Sequence, residues 1–396
     1  MKLQTLRKAD WFIGVFLAVL LAPITRGLGK ILRRDHGFKS TKRIVVMKLL
    51  GGGNFALGLP LLLGLRKSFP ESELIAVVTS TNRVFAESVG VFDTIHVVQT
   101  GSILRLFTSA ARCLYSIFKV DVVIDLEIHS KLTTCFGLFT CARNRLGFFT
   151  DDFFLREYLY THLVFFHPGA SRPALFNQLA LIMQAETATS PECCAHLRRV
   201  LSYKATRQGV VGVGVGCSDL GLVRKLSAEQ WQIALGRALR EQRATEVVFL
   251  GSKDDRQLAD EVISGLVSRF TDLSFANRCG DCSLQDALGI LSECSYYLGV
   301  DSALLHFARL MYVPSESFWG PTDPETLLLP IDNYSEQVHY RPLICSPCIH
   351  VAETAPCKGR NLCIKSLFSE REISPSDALR NTTIEPSDKA ALNSSL

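Results

Sequence analysis

Tyr296-Tyr-Leu-Gly-Val-Asp-Ser-Ala-Leu-Leu-His306, followed after a gap by Phe318-Trp-Gly-Pro-Thr-Asp-Pro324, is the stretch on which the fold turns. Its apolar start reads as a buried strand ending at Gly299. Asp301 and Ser302 are residue types that cap a helix, here one carrying His306 a turn inside, and the second block reads as another strand broken by Gly-Pro. In open α/β sheets ligands bind beyond the carboxyl ends of the strands, so two polar loops at adjacent strand ends predict a pocket. The free N–H groups at Ser302 and Ala303 suit an anionic group such as a diphosphate.

Outward from this stretch the same alternation recurs. Strands are expected over 43–50, 74–79, 94–98 and 120–126, with helices over 56–68, 104–118, 131–141 and 172–185. After a polar stretch at 187–192 the scheme restarts, with strands at 210–215, 245–250 and 296–299 and helices at 227–243, 254–269 and 284–292. Ser227 and Gln230 form a capping box for the first of these helices. Runs of Val and Ile without polar interruption point to parallel strands covered on both faces. The pattern predicts an α/β protein of two doubly wound halves, one over 36–190 and one over 205–345, with the boundary within 186–208. The cleft between them is the expected ligand site.

A length of 396 residues also exceeds what one core usually supports. The net charge of +5 is mild, with no basic block suggesting nucleic acid. Basic residues gather instead around one apolar run, residues 11–22, closed by Pro23. That run falls short of the roughly 20 residues a span needs. Lys2, Arg7 and Lys8 precede it and Arg26, Lys30, Arg33 and Arg34 follow, so neither flank sets a crossing direction. A segment over 1–35 lying in the cytoplasmic leaflet fits this pattern. The alternatives are an ordinary core helix or a cleaved signal, for which Ala18-Val-Leu-Leu-Ala22-Pro23 is a poor cleavage site.

The first strand ends in Gly51-Gly-Gly-Asn54, glycines that let backbone approach a ligand closely. The spacing meets a loose dinucleotide pattern, but the second strand ends in Thr79-Ser-Thr-Asn82 with no acid for a ribose, which argues against a hydride-transferring enzyme.

Several blocks, in order, resemble the family nine glycosyltransferases, which include lipopolysaccharide heptosyltransferases. Lys48-Leu-Leu-Gly-Gly-Gly-Asn-Phe-Ala-Leu-Gly-Leu-Pro60 is similar to that family's first loop. Asp121-Val-Val-Ile-Asp-Leu126 and Arg145-Leu-Gly-Phe148 resemble its mid-domain elements. Val248-Phe-Leu-Gly-Ser252, Gly299-Val-Asp-Ser302, His306 and Gly320-Pro-Thr322 resemble its donor domain. The resemblance covers about residues 43–330. It implies two Rossmann-like domains facing across a cleft (the GT-B type), a nucleotide-diphosphate sugar (ADP-heptose-like) held by the second, and an acceptor held by the first beside Gly52 and Gly53. It also implies inversion at the anomeric carbon without an obligatory metal.

Such a site must take a proton from the acceptor hydroxyl and stabilise a leaving diphosphate. For the diphosphate the candidates are the helix start at Ser302 and Ala303, Thr322, and Arg224 and Lys225, where the family places a phosphate-binding pair. Asp301 is expected to orient the sugar or cap the helix. His306 is a donor-side candidate or a satisfied core histidine. For the proton the sequence departs from the family, because the loop position of its catalytic Asp is Asn54, an amide with no proton-accepting role near neutral pH. Asp125-Leu-Glu127-Ile-His129 ends a first-domain strand, which makes Glu127 the expected base and His129 the second choice. The bland reading of Glu127 is a surface carboxylate or a partner of Arg145.

Of the 13 cysteines, Cys345, Cys348, Cys357 and Cys363 have a spacing compatible with a structural zinc. In an oxidising compartment the same four would read as two disulfides. They mark a Cys-rich segment over 345–368, and the polar composition from Ser369 to the end predicts a disordered tail. The sequence reading is thus an inverting glycosyltransferase acting on a lipopolysaccharide-core or related envelope glycolipid, held at the cytoplasmic face of the inner membrane by residues 11–34. The rival is a non-catalytic binder of sugar nucleotides or glycans, motivated by Asn54.

Overall fold

The structure, a computed structural model, describes residues 3–201, 203, 205–217, 219–349, 355 and 357–369, with backbone alone at 3–9, 219, 220 and 222. The tail expected after Ser369 lies outside the described residues. A helix, α1 (Leu3–Leu32), precedes everything else. The first half contains β1 (Arg43–Lys48), α2 (Gly53–Leu57), α3 (Leu59–Ser68), β2 (Glu73–Thr79), α4 (Ser80–Ser88), β3 (Thr94–Val98) and α5 (Ile103–Ser116). It continues with β4 (Val122–Asp125), α6 (Lys131–Phe139), β5 (Asn144–Phe149), α7 (Arg156–Leu159), β6 (His162–Phe165), α8 (Arg172–Ile182) and α9 (Ser190–Val200). The second half begins with β7 (Arg207–Gly214), α10 (Ala228–Glu241), β8 (Glu246–Phe249), α11 (Arg256–Val267), β9 (Ser274–Asn277) and α12 (Leu284–Glu293). It ends with β10 (Cys294–Val300), α13 (Ala303–Leu310), β11 (Ser315–Trp319), α14 (Pro324–Leu327), β12 (Glu336–Tyr340) and α15 (Leu362–Lys365).

Each half carries one six-stranded sheet, ordered β3-β2-β1-β4-β5-β6 and β12-β11-β10-β7-β8-β9. Every pairing is parallel. Numbered within its own half, the second sheet repeats the order of the first, which is the dinucleotide-fold order with its reversal between the first and fourth strands. The expected two doubly wound halves are therefore present. The central strands β1, β2, β4, β7 and β10 are the buried apolar runs anticipated above. Strands β5, β6, β9 and β12 are not anticipated; β5 is central, but its sequence Asn-Arg-Leu-Gly-Phe-Phe lacks a Val/Ile run. The other three, β6, β9 and β12, are edge strands with mostly part-exposed residues, so they lack the continuous apolar signal of a strand covered on both sides.

Two longer helices, α4 and α9, are also unanticipated, besides the four-residue turns α7, α14 and α15. Residues 80–82, expected at the end of the second strand, open α4, and the polar stretch expected between the halves contains α9, started by a reciprocal capping box between Thr189 and Glu192. Helix α1 is longer than expected, running through Pro23. Packing holds it on line at either side of the proline, with Ala22 buried before it and Arg26 5.3 Å over the Tyr158 ring after it. By length and composition the segment over 10–32 could cross a membrane, which corrects the expectation that the run is too short.

Helix α1 is nonetheless tied to the first half. Asp10 accepts from the backbone N–H groups of Lys131 and Leu132 and from the Ser130 hydroxyl, satisfying the start of α6 from another element. Gly14, Ala18 and Ala22, four residues apart, form the buried stripe. At Gly14 an added Cβ would lie 2.5 Å from that of Lys131, so only glycine lets the helices approach this closely. The large side chains Trp11, Phe12, Phe16, Val19, Leu20 and Ile24 point away from the domain and are exposed.

The two halves share apolar contacts. Phe85 of α4 stacks on Phe307 of α13 with ring centres 6.3 Å apart, and one buried apolar cluster continues from β1 and β2 into α12 and α13.

Candidate functional site

The order reversal falls between β1 and β4 in the first sheet and between β7 and β10 in the second, and the loops leaving those four strands carry most of the predicted residues. Gly51-Gly-Gly-Asn54 leaves β1, Glu127 and His129 follow β4, and Asp301 and Ser302 follow β10. The glycine loop meets the second half directly: a Cβ at Gly53 would lie 3.1 Å from the His306 ring and 3.3 Å from the Ala303 Cα. Gly52 is equally constrained, by the Phe85 ring.

On the second half, Ser302 occupies the N-cap position of α13, but its hydroxyl caps nothing, contrary to the expected cap. Ser302 Oγ, His306 Nδ1 and Thr322 Oγ1 are all buried without a hydrogen-bond partner. Three unpartnered polar atoms in two adjacent loops are costly unless a ligand completes them. Asp301 accepts from Arg224 Nη1 at 2.7 Å and lies 3.6 Å from His306 Nε2. Burial alone would push this carboxyl up; the Arg224 guanidinium, with His306 beside it, instead holds it well below the usual carboxylate range. Lys225 is paired at 2.7 Å with the buried Asp255, whose other oxygen accepts from the N–H and hydroxyl of Ser252. Both candidate phosphate-binding cations therefore lie in this part of the second half, each balanced by a carboxylate.

Several glycines here make room for side chains. A Cβ at Gly214 or Gly299 would lie 2.1 or 2.7 Å from the buried Tyr297 hydroxyl. Part of the Gly212-x-Gly214-x-Gly216 pattern is thus explained by one aromatic ring.

On the first half, Glu127 sits where expected but not as a free base. Its Oε1 accepts from the N–H groups of Leu49 and Leu50 at 2.7 and 2.8 Å, and its Oε2 lies 3.2 Å from Lys48 Nζ. It is 8% exposed and holds the end of β1, which corrects the alternative of a surface carboxylate and leaves both oxygens engaged. Arg145 is not its partner; that guanidinium donates to the carbonyls of Leu159 and Ala142. Asn54 turns back on its own loop, donating to the Gly51 carbonyl at 3.1 Å, while Gly51 adopts a positive φ of 76°. His129 is accessible and its ring meets Phe166 edge-on, with centres 5.5 Å apart. Burial, reinforced by Arg172, Arg156 and Lys131 against the pull of Asp152, keeps its pKa below the ordinary value.

Sequence reasoning missed Arg172, a buried guanidinium at the start of α8, because a lone Arg before a helix has no spacing signature. It equally missed Asp255, which only its contact with Lys225 singles out.

The four C-terminal cysteines are free thiols, with Cys348, Cys357 and Cys363 buried. Burial pushes the Cys363 thiol up to about 11, with Cys348, Cys357 and Cys345 near enough to add to the effect. Among the described residues, however, no three Cys, His, Asp or Glu side chains are placed to hold a metal ion, so the spacing expected for zinc is not accompanied by a ligand set.

Residues 222–358 match the model of Glycosyltransferase family 9 (heptosyltransferase). No curated protein matches the chain. Among solved structures, the glycosyl transferase family 9 protein from Veillonella parvula DSM 2008 superposes with a TM-score of 0.59 at 17% identity, over 78% of this chain and 88% of that one. The E. coli ADP-heptose lps heptosyltransferase II gives 0.58 at 16% identity, over 83% and 98%. The E. coli heptosyltransferase WaaC, solved with ADP-2-deoxy-2-fluoro heptose, gives 0.57 at 15%, over 75% and 92%. The resemblance read from the motifs therefore holds: the second half carries the family nine glycosyltransferase model, and both halves take the heptosyltransferase fold.

Proposed function

We propose that this glycosyltransferase moves a heptose or related hexose, with inversion, from a nucleotide-diphosphate donor to a lipopolysaccharide-core or related envelope glycolipid at the cytoplasmic face of the inner membrane. The observation that carries the reading is that Ser302 Oγ and His306 Nδ1 are buried and unpartnered at the start of α13, where His306 and Ala303 face Gly53 of the other half. The similar WaaC fold was solved with an ADP-heptose analogue, which supports an ADP-sugar as donor.

In this mechanism the acceptor hydroxyl attacks the anomeric carbon while the bond to the diphosphate breaks. The leaving charge is met by the first-turn N–H groups of α13 and by Arg224 and Lys225, so no metal is required for the transfer. Asp301 sets the position of Arg224 and His306. The acceptor proton passes to His129 rather than to Glu127, since a neutral imidazole with an accessible face can take a proton and a carboxylate already holding two N–H groups and an ammonium is committed. Glu127 and Asn54 shape the loop on which the acceptor rests. Helix α1 supports the membrane assignment by its two faces, a small-residue stripe against the domain and large apolar side chains outward, arranged for lying along a surface.

The test is release of ADP from ADP-heptose by the purified protein supplied with lipopolysaccharide-core glycolipid. His129→Ala is expected to lower kcat by about 10²- to 10⁴-fold, the usual worth of a general base, without weakening ADP binding. Tight ADP binding with no release from any ADP-sugar would favour the non-catalytic binder.

A further inference from the structure

Arg172 poses a problem that the mechanism above does not solve. Its side chain is 7% exposed, yet it makes no hydrogen bond or ion pair with any described residue, and its Nη1 is buried without a partner. Its one recorded contact is the face of Phe166, 4.9 Å from the guanidinium carbon. Burial pulls its pKa down to about 10, with no opposing charge to restore it. An uncompensated buried charge ordinarily costs several kcal/mol, about the strength of a buried ion pair broken on one side. Chains discard such groups unless something completes them.

The surroundings indicate what completes this one. Arg172 lines a cleft of about 170 Å³ whose other wall comes from the second half, through Thr322, Asp323 and Thr326. Thr322 is 2% exposed and its hydroxyl is likewise unpartnered. The two orphan groups therefore meet across the boundary between the halves. Helix α8 also starts here, and its N-cap Ser171 supplies no side-chain acceptor to the first turn. One carboxylate shares the wall, Asp323, whose Oδ1 caps α14 by accepting from the Glu325 N–H at 3.0 Å.

We propose that Arg172 and Thr322 form an anion subsite bridging the two halves, and that it takes a phosphate or carboxylate group carried by the acceptor. The inference rests on the glycosyltransferase reading for the word acceptor, and on this cleft alone for the anion. Arg172 belongs to the half opposite the donor loop, which assigns the anion to the acceptor rather than to the donor diphosphate. The guanidinium supplies charge and two parallel donors, and the threonine fixes the orientation from the far side.

Thermal unfolding of the full-length protein tests this with inorganic phosphate, glucose 6-phosphate and ADP as separate probes. Without any anion, Arg172→Met is expected to melt at or above the wild-type Tm, because a buried unpaired charge has been removed. Phosphate and glucose 6-phosphate should raise the wild-type Tm, leave Arg172→Met unmoved, act weakly on Thr322→Val and still act on Arg172→Lys. ADP should protect wild type and Arg172→Met alike. If Arg172→Met and Asp323→Asn both melt several degrees low and phosphate protects Arg172→Met fully, Arg172 is an internal partner of Asp323 and the subsite is wrong. Loss of ADP protection in Arg172→Met, with phosphate indifferent, would overturn the assignment to the acceptor. ADP failing to protect even wild type would count against the donor reading, leaving the phosphate arms to decide the subsite by themselves.

Discussion

Asp301 is the residue whose chemistry is most exposed to test. It is buried, salt-bridged to Arg224 and held well below the usual carboxylate range. A carboxyl whose folded pKa lies below its unfolded value contributes stability above the unfolded pKa, and loses it as pH falls through the folded one. Asp301→Asn, which removes the buried negative charge facing Arg224, is therefore expected to cost about 3–5 kcal/mol from pH 5 to 8, by urea unfolding. Below about pH 4 the difference should begin to narrow, since the carboxyl of the unfolded chain then takes up a proton while the folded one, held lower by Arg224, does not, and the contribution drains away toward the folded pKa. A gap independent of pH would mean that the pair contributes through shape alone. The sequence made Asp301, Ser302, His306 and Thr322 legible because helix-start chemistry and strand ends have fixed spacing. It could not reveal that Glu127 is spoken for, because its partners are backbone N–H groups of another strand, 77 and 78 positions away.

At the scale of elements, the lesson lies in coverage. Central strands such as β1, β2 and β4 bury both faces and announce themselves as runs rich in Val and Ile, whereas β5, though central, reads Asn-Arg-Leu-Gly-Phe-Phe, and β6, β9 and β12 each pair on one side only and spell nothing distinctive. Helix α1 carried a clear apolar signal whose inner face was invisible, since Gly14, Ala18 and Ala22 look neutral until α6 is laid against them. Removing residues 1–35 uncovers Cys135, Phe153 and Leu159 and strips the Asp10 cap from α6. A gentler probe is Gly14→Leu, which should separate α1 from α6 and destabilise by about 1–3 kcal/mol, as overpacking does, measured by thermal unfolding in detergent. An unchanged Tm would show that the helix is not docked.

For the whole molecule, the arrangement of the halves depends on few contacts. Phe85 touches Gly52 on its own side and stacks on Phe307 across the boundary, so one ring supports both the glycine loop and the interface. Phe85→Ala is expected to enlarge the radius of gyration in small-angle scattering and to raise the donor KM, with ADP restoring the compact form. A scattering curve identical to wild type would locate the closure elsewhere. Two domains and their order were readable from the alternating pattern, since each strand and helix declares itself locally. Their mutual seating was not, because it rests on single aromatic and glycine positions.

The bond between Asp10 and the start of α6 has a geometric consequence. Helix α6 begins two residues after His129, so the outward apolar face of α1 and the edge of the cleft that carries His129 belong to one stiff piece. A tether of loose chain would let the cleft wander above a bilayer. On the proposed membrane seating this one would act as a ruler: the helix would set the height of the cleft above the lipid headgroups, and the proposed glycolipid acceptor would be selected by a glycan length that matches that height.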